Sequence, residues 1–183
     1  MKADGQPVTQ SERLTLRRLT EGDAEFYCRL VNEPSWIRNI GDRGIRTPDD
    51  AANFIRAKTL PGYEALGFGL YAVERRTDGV PMGLAGLVRR DTLPGPDIGF
   101  AFLPEYWGKG YALEAARAVT EYARDTLGIT RLLAIVSPHN APSCRLLEKL
   151  GFASEGRKPV GANGEGLLAY SAELGRAQEA LLH

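Results

Sequence analysis

The sequence predicts a mixed α/β (α+β) fold, a central sheet with helices on both faces, from three observations. Two strand-like runs, 68–76 and 82–90, flank Thr77-Asp78-Gly79-Val80, and Asp-Gly between such runs signals a hairpin. A third run, 97–103, is apolar on both alternating faces, Ile98/Phe100/Phe102 and Ala101/Leu103, so it belongs at the centre of a sheet covered on both sides. It leads into a long amphipathic helix within 103–127 and then another buried strand, Arg131–Val136. If that helix is a crossover, strands 97–103 and 131–136 run parallel.

At 183 residues the chain suits one domain spanning 1–183, long enough to bury a proper core. Lys+Arg and Asp+Glu balance at 23 each, so no overall positive field recruits nucleic acid or a membrane. The two cysteines, Cys28 and Cys144, make no disulfide framework, and His139 and His183 make no metal site,. No apolar run approaches the ~20 residues of a membrane span, and the opening residues MKADGQPVTQ lack the apolar segment of a signal peptide,. The expectation is a soluble cytoplasmic protein, monomer or homodimer, with no metal.

In chain order, 13–19 alternates Leu14 and Leu16 with polar neighbours and reads as the first strand,. Thr20-Glu21-Gly22-Asp23 fits a capping box,. The helix it starts carries Ala24, Tyr27, Cys28 and Val31 on one face and ends at Pro34, with Cys28 acting as a small hydrophobe,. Residues 33–46 read as irregular. Thr47-Pro48-Asp49-Asp50 starts a second helix, which stops near Pro61-Gly62,. In the long helix Ala112, Ala115, Ala116, Val119, Tyr122 and Ala123 face the core, while Lys109, Glu114 and Arg117 stay outside,. Asn140 and Pro142 suit the first turn of a short helix and Gly151 its C-terminal cap,. Segments 152–158 and 167–174 form a closing antiparallel pair.

Chemistry concentrates at Trp107-Gly108-Lys109-Gly110-Tyr111-Ala112, where a strand passes into the long helix. Glycines permit a tight turn and close ligand approach. The unpartnered N–H groups and positive dipole end of the helix suit a phosphate. The spacing is not that of a Walker loop. A dinucleotide fingerprint needs a small residue where Leu113 stands, and an acidic residue ending strand 131–136, which is absent,.

The stretch resembles the pyrophosphate loop of the GNAT acyl-CoA-dependent N-acetyltransferases, Gln/Arg-x-x-Gly-x-Gly/Ala, with Gly110 and Ala112 in place and Trp107 at the first position. The Trp-Gly-Lys-Gly-Tyr-Ala run followed by Glu114-Ala115 is similar to the RimJ/RimL-like branch. A second motif, Asn140-Ala141-Pro142-Ser143 leading to Gly151-Phe152, resembles the family's CoA-side helix. The resemblance implies a GNAT fold: a mixed, largely antiparallel sheet of six or seven strands. It implies transfer of acetyl from the co-substrate acetyl-CoA to a primary amine, either a protein N-terminus (the ribosomal-protein-alanine type) or a small molecule such as a polyamine or aminoglycoside-like compound. A CoA-binding regulator without catalysis is the other reading. On this resemblance CoA falls to Phe102, Leu103, Trp107, Gly108, Lys109, Gly110, Tyr111, Ala112, Asn140 and Arg145, and the acceptor cleft to Trp36, Arg38 and Asn39.

Acyl transfer also needs donors where the thioester oxyanion forms, and a backbone N–H near the end of strand 97–103 can serve. Gly99 within that strand permits close approach by a pantetheine arm. Many family members carry a Tyr acid where this chain has Leu147; in the RimJ/RimL-like branch a Ser at the head of the same helix substitutes, matching Ser143. Asp97 and Glu105 are the candidate bases, with Glu105 read by default as solvated. An α-amine of pKa ~8 is about a tenth neutral at pH 7, whereas lysine costs roughly 3 kcal/mol more to deprotonate. Water relayed to Asp97 therefore suffices for an α-amine. No GxSxG elbow and no triad around His139 offers another nucleophile,.

Overall fold

The computed structural model describes residues 5–175; His183 lies outside them. Eight strands form one sheet in the order β1-β2-β3-β4-β5-β6-β8-β7. They are β1 (Pro7–Gln10), β2 (Leu14–Arg17), β3 (Leu70–Arg75), β4 (Pro81–Val88), β5 (Asp97–Phe102), β6 (Arg131–Val136), β7 (Ala153–Lys158) and β8 (Leu167–Glu173). Every neighbouring pair is antiparallel except β5–β6, which is parallel. The sheet therefore has eight strands where six or seven were expected. The extra one is β1, four residues that pair with β2 at the sheet edge.

The parallel pair follows from α5 (Tyr111–Asp125) crossing over between its strands,. Ala115, Ala116, Val119 and Ala123 of α5 are buried in one apolar cluster with Leu14, Val73, Leu87 and Ile98. Their small side chains bring the helix axis close to the sheet. Leu147 of α6 (Ala141–Lys149) joins the same cluster beside Phe152 and Tyr170. A second cluster gathers Leu30 and Tyr27 of α1 (Ala24–Val31), Trp36 of α2 (Pro34–Asn39) and Ala51 of α3 (Pro48–Phe54) over Ala72 and Leu84 of the sheet. Alternate residues of β3 and of β4 beyond Gly83 thus feed opposite clusters, as the two-residue period of a strand requires,.

Two segments differ from the sequence reading. Residues 33–46 are not wholly irregular, because Pro34 both ends α1 and opens α2 at a first-turn position. The helix begun at Pro48 does not stop at Pro61-Gly62. A wide turn over Ile55–Thr59, in which the Leu60 N–H reaches Ile55 O, passes into α4 (Leu60–Leu66), which ends at Gly67 with φ +75°. Proline lacks an N–H for the carbonyl four residues back, and the wide turn absorbs that missing bond. Cys28 is half-buried and packs against the second cluster.

Among the described residues, Arg17 and Asp23 are the ion pair with both partners buried, 3% and 4% exposed. Arg17 donates from Nη1 and Nη2 to the two Asp23 oxygens, each at 2.8 Å, and from Nε to Glu74 at 2.6 Å. Asp23 Oδ2 also accepts the Thr20 N–H at 2.8 Å, tying the start of the first helix to β2. Asp23→Ala leaves a buried guanidinium with Glu74 as its one carboxylate partner and the Arg18 carbonyl at 3.1 Å, so it should cost about 3–5 kcal/mol. Urea unfolding measures this, and a loss below ~1 kcal/mol, the range of an exposed pair, would mean the pair does not hold the helix to the sheet.

Candidate active site

β5 and β6 share a single bridge, Asp97↔Leu133, reinforced by the Leu133 N–H on Pro96 O at 3.1 Å. Beyond it the strands part, and the gap opens toward their C-terminal ends. Leu103 N–H bonds Met82 O at 2.9 Å, and the β4–β5 register pairs Ala101 with Leu84 and Gly99 with Gly86. In an antiparallel ladder the bonded residues alternate, so odd-numbered amides of β5 face β4. The amides of Phe100 and Phe102 face the gap.

Around the gap lies a cleft of about 1160 Å³. Phe102, Trp107, Gly108, Gly110, Tyr111 and Ala112 line it from one side. Asn140, Ser143 and Arg145 line it from α6, and Trp36, Arg38, Asn39 and Asp97 from the opposite face. Most of the residues singled out in the sequence are therefore brought together. Leu103 and Lys109 are not among its lining. Leu103 is buried in the α1–α3 cluster with its amide spent on Met82. Lys109 projects into solvent, and only its carbonyl is engaged, accepting from Arg13 Nη1 at 3.0 Å.

Gly108 and Gly110 adopt φ +73° and +79°, a left-handed conformation costly for other residues. A Cβ on Gly110 would meet only Arg13 Nη2 at 3.4 Å, and one on Gly108 would meet nothing within 4 Å. Backbone conformation, more than space, explains both glycines. Gly110 caps α5 without a side-chain bond, and the first ladder bond is Glu114 N–H to Gly110 O. The amides of Tyr111, Ala112 and Leu113 are thus left without partners among the described residues. At Gly99 a Cβ would approach Leu70 Cδ2 and Val88 Cγ2 at 3.3 and 3.6 Å. The room it leaves is on that side and not at the gap amides.

Sequence reasoning missed the brace behind the loop. Arg13 donates Nε to Glu114 Oε2 at 2.6 Å, and its ring-facing guanidinium sits 4.4 Å from the Tyr111 centroid. Ser11 Oγ and Arg13 N–H both donate to Glu114 Oε1, at 2.7 and 2.8 Å. Glu114 is therefore half-buried, not outside. Burial alone would raise its pKa, but these donors bring it below the ordinary range. Trp107 Nε1 donates to Phe102 O at 2.8 Å, pinning the loop's entry to the strand end.

Asn140 Oδ1 accepts the Ser143 N–H at 3.3 Å, a cap for α6. No protein acceptor or donor engages the Ser143 hydroxyl among the described residues, and it faces the cleft half-buried. Leu147 is fully buried at the position where an acid was sought. Cys144 is half-buried, beside Tyr170, whose pKa it helps raise to about 12. Glu105 is exposed and pairs with Arg29 at 2.7 Å. Its pKa is lowered by its own backbone amide and by Arg29, and it is not among the residues lining the cleft.

Asp97 is different. It is 1% exposed, and burial pushes its pKa up to about 6 from 3.8, against the pull of Arg90 at 3.1 Å. A carboxylate there is ionised at neutral pH yet basic enough to take a proton.

The sheet, its parted parallel strands and the helix head between them form an acetyltransferase scaffold, and comparison with known proteins agrees. Residues 13–153 match the family model described as the acetyltransferase (GNAT) domain. YnaD of Bacillus subtilis (strain 168), an uncharacterized N-acetyltransferase, is 43% identical over 146 residues, 80% of this chain and 82% of its own. The [ribosomal protein uS5]-alanine N-acetyltransferase of Escherichia coli (strain K12) is 39% identical over 59 residues, 32% of this chain and 30% of its own. The crystal structure of a GNAT-family acetyltransferase from Bacillus anthracis superposes with a TM-score of 0.74 at 25% identity, covering 91% of this chain and 98% of that one. The chain belongs to the GNAT acetyltransferase family.

Asp97 generates a stability prediction. Its folded-state pKa lies above the unfolded one, so the native state binds the extra proton between pH 3.8 and about 6. Stability from this group falls as pH rises through that window. Asp97→Asn should raise stability at pH 8 by on the order of 1–3 kcal/mol and leave it little changed near pH 3.5. Denaturant unfolding at both pH values tests this; an equal gain at both, or a loss at pH 8, would contradict the burial argument.

Proposed function

We propose that this N-acetyltransferase binds acetyl-CoA across the gap between β5 and β6 and passes its acetyl group directly to a primary amine. The observation that carries the reading is one cleft containing unpaired amides at both places where the donor is negative. The amides of Tyr111, Ala112 and Leu113 at the head of α5 suit the pyrophosphate,. The amides of Phe100 and Phe102 suit pantetheine and the thioester oxygen as charge develops there,. Gly108, Gly110 and the Arg13–Glu114 brace keep the loop open for the phosphates. Asn140 is spent by its Oδ1 on the cap and keeps its Nδ2 for the donor, while Arg145 is a phosphate partner at the cleft rim.

In the reaction the neutral amine nitrogen attacks the thioester carbon, the C–N bond forms and the C–S bond breaks. The nitrogen's surplus proton passes through water to the Asp97 carboxylate, and the Ser143 hydroxyl gives its proton to the departing thiolate. Solvent then restores both groups. Because Asp97 carries a pKa of about 6, this arrangement suits an α-amine, which needs little help to lose its proton. The partial match to a ribosomal-protein-alanine acetyltransferase supports a protein N-terminus as one such acceptor and the RimJ/RimL-like branch as the place of this chain.

Thiol release from acetyl-CoA in the presence of an amine panel tests the reading, with Ser143→Ala as the diagnostic variant. A hydroxyl that helps only as charge grows on sulfur affects kcat and not donor affinity. The expected loss is about 10²-fold or less, since a thiolate leaves readily. Normal kcat with a melting point lowered by the equivalent of ~1 kcal/mol would make Ser143 a cap residue only.

A further inference from the structure

Balanced total charge hides an unbalanced cleft. On the acceptor side it is lined by Arg38, Arg43, Lys58, Arg89 and Arg90, and Asp97 is its one carboxylate among the described residues. Arg90 is matched by Asp97. The other four cations have no ion-pair partner among the described residues.

Two features indicate that this charge is organised. Arg43 lies against aromatic faces, 5.6 Å from the Trp36 ring and 5.7 Å from that of Phe54. Phe54 itself stacks on Tyr27 at 5.7 Å. A guanidinium resting against aromatic rings, with no ion-pair partner among the described residues, keeps its N–H donors for a carboxylate or phosphate,. Beneath it Trp36 is 4% exposed, and its Nε1–H is the one buried side-chain polar atom without a partner among the described residues.

CoA's own phosphates do not account for this rim. Arg89 and Arg90 follow the C-terminal end of β4, which pairs with the start of β5 at Asp97. The phosphate-binding loop follows the other end of β5, about 17 Å away at the usual strand rise. Arg43 stands over the α1–α3 cluster, on the face opposite that packed by α5. The donor has separate cations near it, Arg145 and Lys149 on α6.

We infer that the acceptor is a primary amine that also bears an anionic group, a carboxylate or a phosphate, held by Arg43 and Arg89 while its amine reaches toward Asp97. The inference rests on the acetyl-transfer reading for the amine and on the charge arrangement for the anion. Polyamines and aminoglycoside-like amines, which are polycations, are thereby disfavoured. A basic cleft concentrates anionic substrates, an effect that weakens as salt rises.

The test uses four α-amines of similar size: the α-amides of aspartate, phosphoserine, asparagine and lysine. Their binding to the CoA-saturated protein is followed by calorimetry, and thiol release from acetyl-CoA is measured in parallel. The aspartate or phosphoserine amide should bind about tenfold or more tightly than the asparagine amide at low salt, with the lysine amide weakest. Which of the two anions binds better distinguishes carboxylate from phosphate. Arg43→Gln with Arg89→Gln, both exposed side chains, should erase the preference without changing acetyl-CoA affinity or the melting point. Equal binding of all four amines, a preference for lysine amide, or an anion preference surviving in the double variant would overturn the inference. Charge-dependent binding without thiol release from any amine would instead overturn acetyl transfer and leave the anion site standing.

Discussion

The cleft depends on a ladder that stops after one bridge. Parallel strands normally exchange evenly spaced bonds along their length, yet β5 and β6 meet only at Asp97 and Leu133. Past that point β6 stays fully paired with β8, and β5 stays fully paired with β4. The sheet therefore opens without losing either half. Its cost falls on the amides of Phe100 and Phe102, since a dry unpaired backbone group forfeits about 1–3 kcal/mol. Water or a ligand must satisfy them. The α5 crossover then delivers a second set of unpaired amides to the same opening.

Other local costs cluster around it. Asp97 is a carboxylate with almost no solvent contact, ionised against the preference of its surroundings. Gly108 and Gly110 hold left-handed conformations that no side chain caps. The Ile55–Thr59 wide turn interrupts a helix whose Lys58 and Thr59 line the acceptor side. Departures of this kind gather where structure serves ligand more than stability. The remainder of the molecule compensates through ordinary means: two apolar clusters and the Arg17–Asp23–Glu74 network.

What was legible in the sequence was local or periodic. The Asp-Gly hairpin, the two-sided strand β5, the alanine stripe of α5, and the helix start at Thr47-Pro48 are each written in consecutive residues, and each is present. What was not legible depends on distance or on distribution. β1 is four residues with no fully buried position, so it has no apolar alternation to read. Arg13 and Glu114 are 101 positions apart, and nothing near either names its partner. The wide turn before Pro61 has no residue signature of its own. Equal totals of acid and base said nothing about where the charges stand, so the basic rim of the cleft appeared only once α2, the segment after it, the Ile55–Thr59 turn and the end of β4 were brought together. Leu103 and Lys109 were assigned to CoA through the family resemblance, but strand alternation and loop geometry leave both outside the cleft lining.

Residue-resolved amide hydrogen exchange, with and without acetyl-CoA, tests most directly the claim that the opening between β5 and β6 receives the donor. Without ligand, the amides of Phe100, Phe102, Tyr111, Ala112 and Leu113 have no protein acceptor among the described residues and should exchange rapidly. Those of Gly99 and Ala101, bonded to β4, should exchange slowly. Saturating acetyl-CoA should slow the first group together and leave the second unchanged. Protection appearing elsewhere, with these five amides unaffected, would contradict the account.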